Sequence, residues 1–333
     1  MISNKKQEIR TRPCPDCYIC GTKGVMLYRG LQDRLFGAPG RWNLKKCSNS
    51  ECGLVWMDPM PIEEDIGKAY ETYYTHEEEE TNGRNGNVKK TICRQFLRKL
   101  YVLFRFFTGL DRQWRRVYMM YLDHIKPGRL LEVGCGNGQR LSLFQSRGWM
   151  VEGQEVDQEA AIQVYNRFGI KVYLGKVQNL DLRETTYDAI IMNHVIEHVY
   201  DPVGLLKECR RLLKPGGLLV AITPNIESRG HRIFSFCWRG LEPPRHLRLY
   251  SVTTLKRVAQ QSGFTKIRSW TTAANAGVIA RGSLEIRRTE RHDMLKSKSF
   301  ALSMKASCLQ LLSSLTILLD KCSGEECILR VIK

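Results

Sequence analysis

Five short apolar runs recur through the middle of this 333-residue chain: RLLEV (129–133), MVEGQEV (150–156), VYLG (172–175), YDAIIMN (187–193) and LLVAIT (218–223). Segments of helical period separate them, among them GQRLSLFQSRG, QEAAIQVYNRFG and DPVGLLKECRRLLKPGG. Strands alternating with helices in this way predict an α/β fold with a doubly wound, parallel sheet. A single core stops growing near roughly 250–300 residues, so a smaller unit should accompany it. A composition of 43% hydrophobic and 26% charged residues is that of a globular chain and excludes a disordered one.

The companion unit is marked by cysteine. Five of the twelve cysteines crowd into residues 14–52, in CPDCYIC (14–20) and CSNSEC (47–52), and each cluster is closed by a glycine, Gly21 or Gly53. Glycine there permits the tight positive-φ turn that points backbone N–H groups at a thiolate. Cys17, Cys20, Cys47 and Cys52 are expected to hold a structural Zn2+ in a tetrahedron, with Cys14 left over. Cys14 with Cys17 is the competing first pair, and free buried cysteines are the plain alternative. A ribbon of about 40 residues cannot build a sufficient core unaided, so the metal would supply its folding energy. The N-terminus, MISNKKQEIRTRPC, lacks the apolar run of a signal peptide, and a reducing, cytoplasmic setting is expected. With no run of about 18 uncharged apolar residues, no membrane span is expected, and SCLQLLSSLTILL (307–319) reads as a buried or amphipathic helix.

The formal charge of +18 favours anionic partners such as phosphates, nucleic acid or acidic lipid. Half of it lies between Arg84 and Arg116, where ten Lys or Arg face the single acid Asp111 and are interleaved with aromatic residues. The apolar spacing over 88–124 predicts one or two helices, ended by Pro127-Gly128.

The first strand opens into LLEVGCGNGQRL (130–141), with Gly134, Gly136 and Gly138 at its mouth. Glu132 precedes the turn, and Glu155 ends the second strand 17 residues after Gly138, where an acid can hold both ribose hydroxyls. This segment resembles the S-adenosylmethionine site of class I methyltransferases, whose pattern is E/D-x-G-x-G-x-G. The resemblance extends over most of residues 129–270 through YDAIIMNHVIEHVYDP, LLKPGG, AITPN and PPRHLRLYSVTTLKRVAQQSGF. It implies a Rossmann-like sheet with an antiparallel pair at one edge, formed by TKIRSWTT (265–272) and ECILRVIK (326–333). It also implies that Glu132 holds the methionine amino end and Glu155 the ribose. Gln178 and Asn179 stand where the family often places an acid near adenine, and Asn193, at the end of the fourth strand, is a further cofactor-binding candidate. Together with the Cys pairs and DPMP, the match points to a subfamily associated with modifying sugars and other small metabolites.

The stretch HVIEH (194–198) spells the motif of inverted zinc peptidases. It begins where a strand finishes, and Pro202 follows closely, so no long zincin helix can form. Quinone-forming relatives in the superfamily bind a divalent cation at this segment, and His194, Glu197 and His198 on one helical turn can converge on one ion. The plainer reading makes Glu197 and His198 active-site hydrogen bonders. A hydroxyl acceptor needs a base, and neutral His suits that at pH 7. His246, in EPPRHLRLY, is the first choice, His198 the second, and Arg245 is a candidate ligand for an anionic acceptor.

These readings give a zinc-ribbon-like module over 1–58, a helical and loop linker over 59–127, and a methyltransferase domain over 128–333 with a helical insertion near 275–322. The expected reaction is methylation of a small-molecule acceptor at a hydroxyl of a sugar or related metabolite, with an anionic acceptor among the candidates. RNA methylation through the basic region and a non-catalytic scaffold are the alternatives. The acceptor, the atom methylated and the oligomeric state are left open, as is whether the insertion covers the pocket, forms a dimer seam or makes a peripheral membrane contact.

Overall fold

The computed structural model describes residues 8–71, 109–292 and 299–333. The N-terminal part holds β1 (Thr11–Arg12), β2 (Gly24–Leu31), β3 (Trp42–Cys47), β4 (Val55–Met57) and β5 (Met60–Pro61). After α1 (Leu110–Tyr118), the main body alternates β6 (Arg129–Val133), α2 (Gln139–Gln145), β7 (Met150–Glu155), α3 (Gln158–Phe168), β8 (Val172–Leu174), β9 (Tyr187–Asn193), α4 (Pro202–Leu212) and β10 (Leu213–Pro224). It continues with α5 (Arg229–Phe234), β11 (Arg248–Leu249), α6 (Val252–Gln261), β12 (Lys266–Thr272), α7 (Ala276–Thr289), α8 (Phe300–Leu319) and β13 (Glu326–Ile332).

Seven strands form one sheet in the order β12-β13-β10-β9-β6-β7-β8. Strands β6 to β10 pair in parallel, and β13 runs antiparallel to both β10 and β12. The apolar runs are continuous because both faces of this sheet are covered. Leu131, Val133, Ile190, Met192, Leu219 and Ala221 face one core, while Leu130, Ala189, Ile191, Val220 and Ile222 face the other. Local signals agree with this layout. Asp157 caps α3 by accepting from the Glu159 and Ala160 N–H groups, Asp201 caps α4 ahead of Pro202, and Ser251 with Thr254 forms a capping box on α6.

A second sheet, β11-β4-β3-β2, ties the cysteine-rich part to the main body, because β11 arrives from the far side of β10 and pairs Arg248 with Trp56. Gly24 lies directly under the buried Trp56 ring, where a Cβ would come within 2.5 Å of ring carbon, so only glycine fits. Gln261 Nε2 donates to the Ile19 carbonyl at 2.8 Å, and the Tyr28 hydroxyl bonds His231 Nε2 at 2.9 Å across the same boundary.

One expectation needs correction. The resemblance makes LLKPGG the turn before the fifth strand, but Leu213 already pairs with Tyr187 and the segment is absorbed as a bulge within β10. IEEDIGKAYETYY (62–74), helical in its apolar spacing, forms a 3-10 turn at Ile66–Ala69, and its end lies outside the described residues. Of the basic aromatic stretch, only its end is described, as α1. The last two strands and the intervening helices α7 and α8 match the sequence reading. Helix α8, however, is long and apolar enough by length and composition to cross a membrane, because Lys305 interrupts its uncharged run without removing its apolar character.

Candidate active site

The turn after β6 is built from left-handed glycines, with φ of 66° at Gly134, 52° at Gly136 and 71° at Gly138. A Cβ at Gly134 would strike Val195, and one at Gly138 would strike Val164, so packing as well as φ requires glycine at both. Gly136 differs, since a Cβ there would meet nothing within 4 Å. The backbone therefore lies bare beside open space. Of the two acids expected to flank this turn, Glu155 bonds it directly. Glu155, 9% exposed, accepts from the Gly136 N–H at 2.8 Å through Oε2 and from the Val156 N–H at 2.7 Å through Oε1.

Glu132, 2% exposed, pairs through Oε1 with Arg140 Nη1 at 2.9 Å, while its Oε2 is buried with no hydrogen-bond partner. Burial raises its pKa, partly offset by Arg140, to about 7. An orphaned carboxylate oxygen is a receptor for an ammonium group, and an open glycine turn accommodates a nucleoside. These residues fit S-adenosylmethionine. Asn193 ends β9 on the wall of the adjoining cleft, whereas Gln178 and Asn179 sit exposed on a 3-10 turn after β8.

HVIEH folds as a 3-10 turn at Ile196–His198, preceded by His194 in the left-handed region at φ 54°. The expected convergence of His194, Glu197 and His198 on one ion does not occur. His194 turns instead between two buried carboxylates, Glu197 at 3.1 Å on Nδ1 and Glu326 at 3.0 Å on Nε2. Burial would lower its pKa, but these carboxylates outweigh it and raise it to about 10, so His194 is a fixed cation.

His246 takes the place expected of His194, so that Glu197, His198 and His246 each offer a ligand atom within 4.8 Å of the others. His246 is 4% exposed; its Nδ1 bonds the Gly240 carbonyl at 2.8 Å, and its Nε2 lies 4.0 Å from Glu197 and 3.9 Å from Glu242. Burial lowers its pKa to about 4, against the pull of Glu242, so the ring is neutral near pH 7. His198 stacks edge-on against it with centroids 4.8 Å apart, and its Nδ1 contacts the Arg245 carbonyl and the Tyr70 hydroxyl, each at 3.0 Å.

Arg245, a candidate for an anionic acceptor, points elsewhere. Its guanidinium is wholly buried between Asp33 and Glu242 and is not exposed to any ligand. A cleft of about 370 Å³ lies over Asn193 and His194, lined also by Trp114, Arg115, Val117 and Tyr118 of α1 and by Arg140, Ala274 and Asn275. The Trp114 indole donates to the Ala274 carbonyl across it. Glu326 and the α1 residues join the site from distant parts of the chain and leave no local motif, whereas Glu242 meets Arg245 and His246 at helical spacing three and four residues on.

Cys17, Cys20, Cys47 and Cys52 gather with all four sulfurs within 4.8 Å, and Cys17–Cys52 and Cys20–Cys47 stand at 3.6 and 3.4 Å. A tetrahedron with Zn–S near 2.3 Å places its sulfurs about 3.8 Å apart, so the cluster fits Zn2+. Gly21 and Gly53 adopt φ of 70° and 67°. Cys14 is outside the cluster, its carbonyl accepting from the Trp56 indole at 2.7 Å.

A seven-stranded sheet with one antiparallel strand inserted beside its edge, and a glycine turn between acids on adjacent strands, define a class I S-adenosylmethionine-dependent methyltransferase domain. Residues 106–269 match the family described as methyltransferase domain. A probable S-adenosylmethionine-dependent methyltransferase from Mycolicibacterium smegmatis is 33% identical over 120 residues, 34% of this chain and 47% of its own. A ubiquinone biosynthesis O-methyltransferase from Alkalilimnicola ehrlichii is 32% identical over 36% of this chain and 50% of its own. A demethylmenaquinone methyltransferase from Thermotoga maritima is 27% identical over 45% of this chain and 70% of its own. The chain thus spans about half the length of the first two relatives.

Proposed function

We propose that this chain methylates a small-molecule acceptor at a hydroxyl, of a sugar or a related metabolite, using S-adenosylmethionine. The observation that carries this reading is the open glycine turn beside the orphaned Glu132 Oε2, adjoining a cleft of a size that suits a small ligand. When bound, the cofactor supplies an electrophilic sulfonium methyl. Glu132 would receive its ammonium and Glu155 its ribose hydroxyls, with Gln178 and Asn179 at the rim available to the adenine edge.

Arg115 on the cleft wall would attract an anionic acceptor, whereas Arg140 is paired with Glu132 and His194 with Glu197 and Glu326, and Trp114 and Tyr118 line the cleft with aromatic surface. Neutral His246 takes the acceptor proton, directly or through His198, and Glu197 and Glu242 beside it stabilise the imidazolium that results. A second reading draws on the 4.8 Å grouping: Glu197, His198 and His246 would hold a divalent cation that binds the acceptor oxygen. The cysteine cluster is assigned to structural zinc.

The test is incubation of the full chain with labelled S-adenosylmethionine and nucleotide sugars, saccharides, phenols or total RNA, read by mass spectrometry. Label on a small-molecule hydroxyl supports the proposal. Label confined to RNA replaces it with nucleic-acid methylation.

A further inference from the structure

Helix α8 is turned inside out. Its polar side chains face the protein: Gln310, 2% exposed, receives the Gly277 N–H and donates to the Ala273 carbonyl and the Ser314 hydroxyl, and Ser313 and Ser314 are buried beside it. Its apolar side chains face outward. Met304 is 44% exposed, Leu312 44%, Leu315 50%, Leu318 70% and Leu319 92%. At 3.6 residues per turn these five, with exposed Cys308, occupy one continuous arc of about 120° that holds no charged residue. A water-facing helix normally shows the opposite arrangement.

We propose that this face docks on the surface of an anionic membrane. Charge selects this occupant over a second copy. Lys305 borders the arc, Lys321 follows its C-terminal end, and exposed Arg288 and Arg291 lie at the end of the neighbouring α7, outnumbering the adjacent acids Glu290 and Asp320, the latter paired with Arg232. Such flanking cations attract acidic headgroups, whereas two chains of +18 meeting through the same face would bring like charges together. The helix lies along the surface rather than crossing it, because crossing would strip the Gln310, Ser313 and Ser314 face from its partners on α7. Since Gln310 bonds Ala273 and Gly277, and Ala274 and Asn275 line the cleft, docking brings the cleft close to the bilayer. The inference rests on α8 and the cations around it and is independent of methyl transfer.

The experiment is sedimentation of the full chain with vesicles of phosphatidylcholine alone or mixed with phosphatidylglycerol, comparing the native chain with Leu315→Asn/Leu318→Asn. Both replaced side chains point outward, and an unchanged melting temperature establishes that the variant folds. The native chain is expected to sediment with the anionic vesicles, less so at high salt, and the variant to partition at least about tenfold more weakly. Equal sedimentation of the two folded proteins, or none by the native chain, overturns the proposal. So does a concentration-dependent dimer, abolished by the double substitution, in a chain that ignores vesicles; the face is then a seam between copies. If this variant melts lower, Leu319→Asn, at the most exposed position, replaces it with the same criteria.

Discussion

Arg245 and Asp33, 212 residues apart, form a bidentate ion pair at 2.9 Å in which neither side chain is exposed. The pair joins the loop after β2 to the segment that carries His246, and the Arg245 carbonyl also contacts His198. The cysteine-rich part therefore holds the histidine cluster in place as well as folding beside it. Removing Asp33 leaves the buried guanidinium with Glu242 and the Ala69 carbonyl but strips Nη2 of its bond to the Asp33 carboxylate. We expect Asp33→Ala to cost about 2–3 kcal/mol in denaturant unfolding. An effect below about 1 kcal/mol would mean that the pair is dispensable.

Zinc should act through the same connection. The purified chain is expected to contain one zinc per molecule by elemental analysis, and Cys52→Ser to lose it. Chelation should lower the melting temperature and, through Asp33 and Arg245, turnover as well. Full activity in a zinc-free chain would separate the ribbon from the site.

Glu132 sets a pH dependence. Its folded pKa, near 7, is raised above the ordinary carboxylate value by burial, so the protonated form predominates below about 7 and the charged form above. A raised carboxylate pKa means that deprotonation costs stability as pH climbs from the unfolded value through 7. The same deprotonation creates the partner for an ammonium. Affinity for S-adenosylmethionine should therefore rise between pH 6 and 8 by up to about tenfold, one pH unit on the limiting slope. Glu132→Gln should bind weakly with no such slope.

His246→Ala should leave cofactor affinity unchanged and lower turnover at least about tenfold, in line with loss of a general base. The cation reading makes a different demand: activity in the native chain would fall on chelation and return with added divalent metal. Unchanged turnover in the variant removes His246 from the chemistry.

Much of the sheet was legible because the central strands β6, β9 and β10 are largely buried on both faces and so read as apolar runs, whereas β7 and β8 toward the edge are part-exposed. RLLEV and YDAIIMN match their strands residue for residue. The glycine turn was legible because left-handed φ selects glycine at fixed spacing. The histidines were only half legible. That His194 belongs to the glutamates depends on Glu326, which arrives beside it only through the antiparallel insertion of β13. Arg245 looked like an anion ligand because its partner, Asp33, lies at the far end of the sequence. The outward leucines of α8 escaped notice because periodicity reports that a helix has two faces and cannot report which one meets the protein.

The most direct measurement is titration calorimetry of the native chain with S-adenosylmethionine at pH 8, beside Glu155→Ala. We expect one site per chain for the native protein, and affinity reduced at least about tenfold in the variant, the loss of a charged hydrogen-bond acceptor. No binding by the folded native chain at millimolar cofactor, or equal binding by both proteins, would contradict the assignment of the glycine turn and its two acids as the cofactor site.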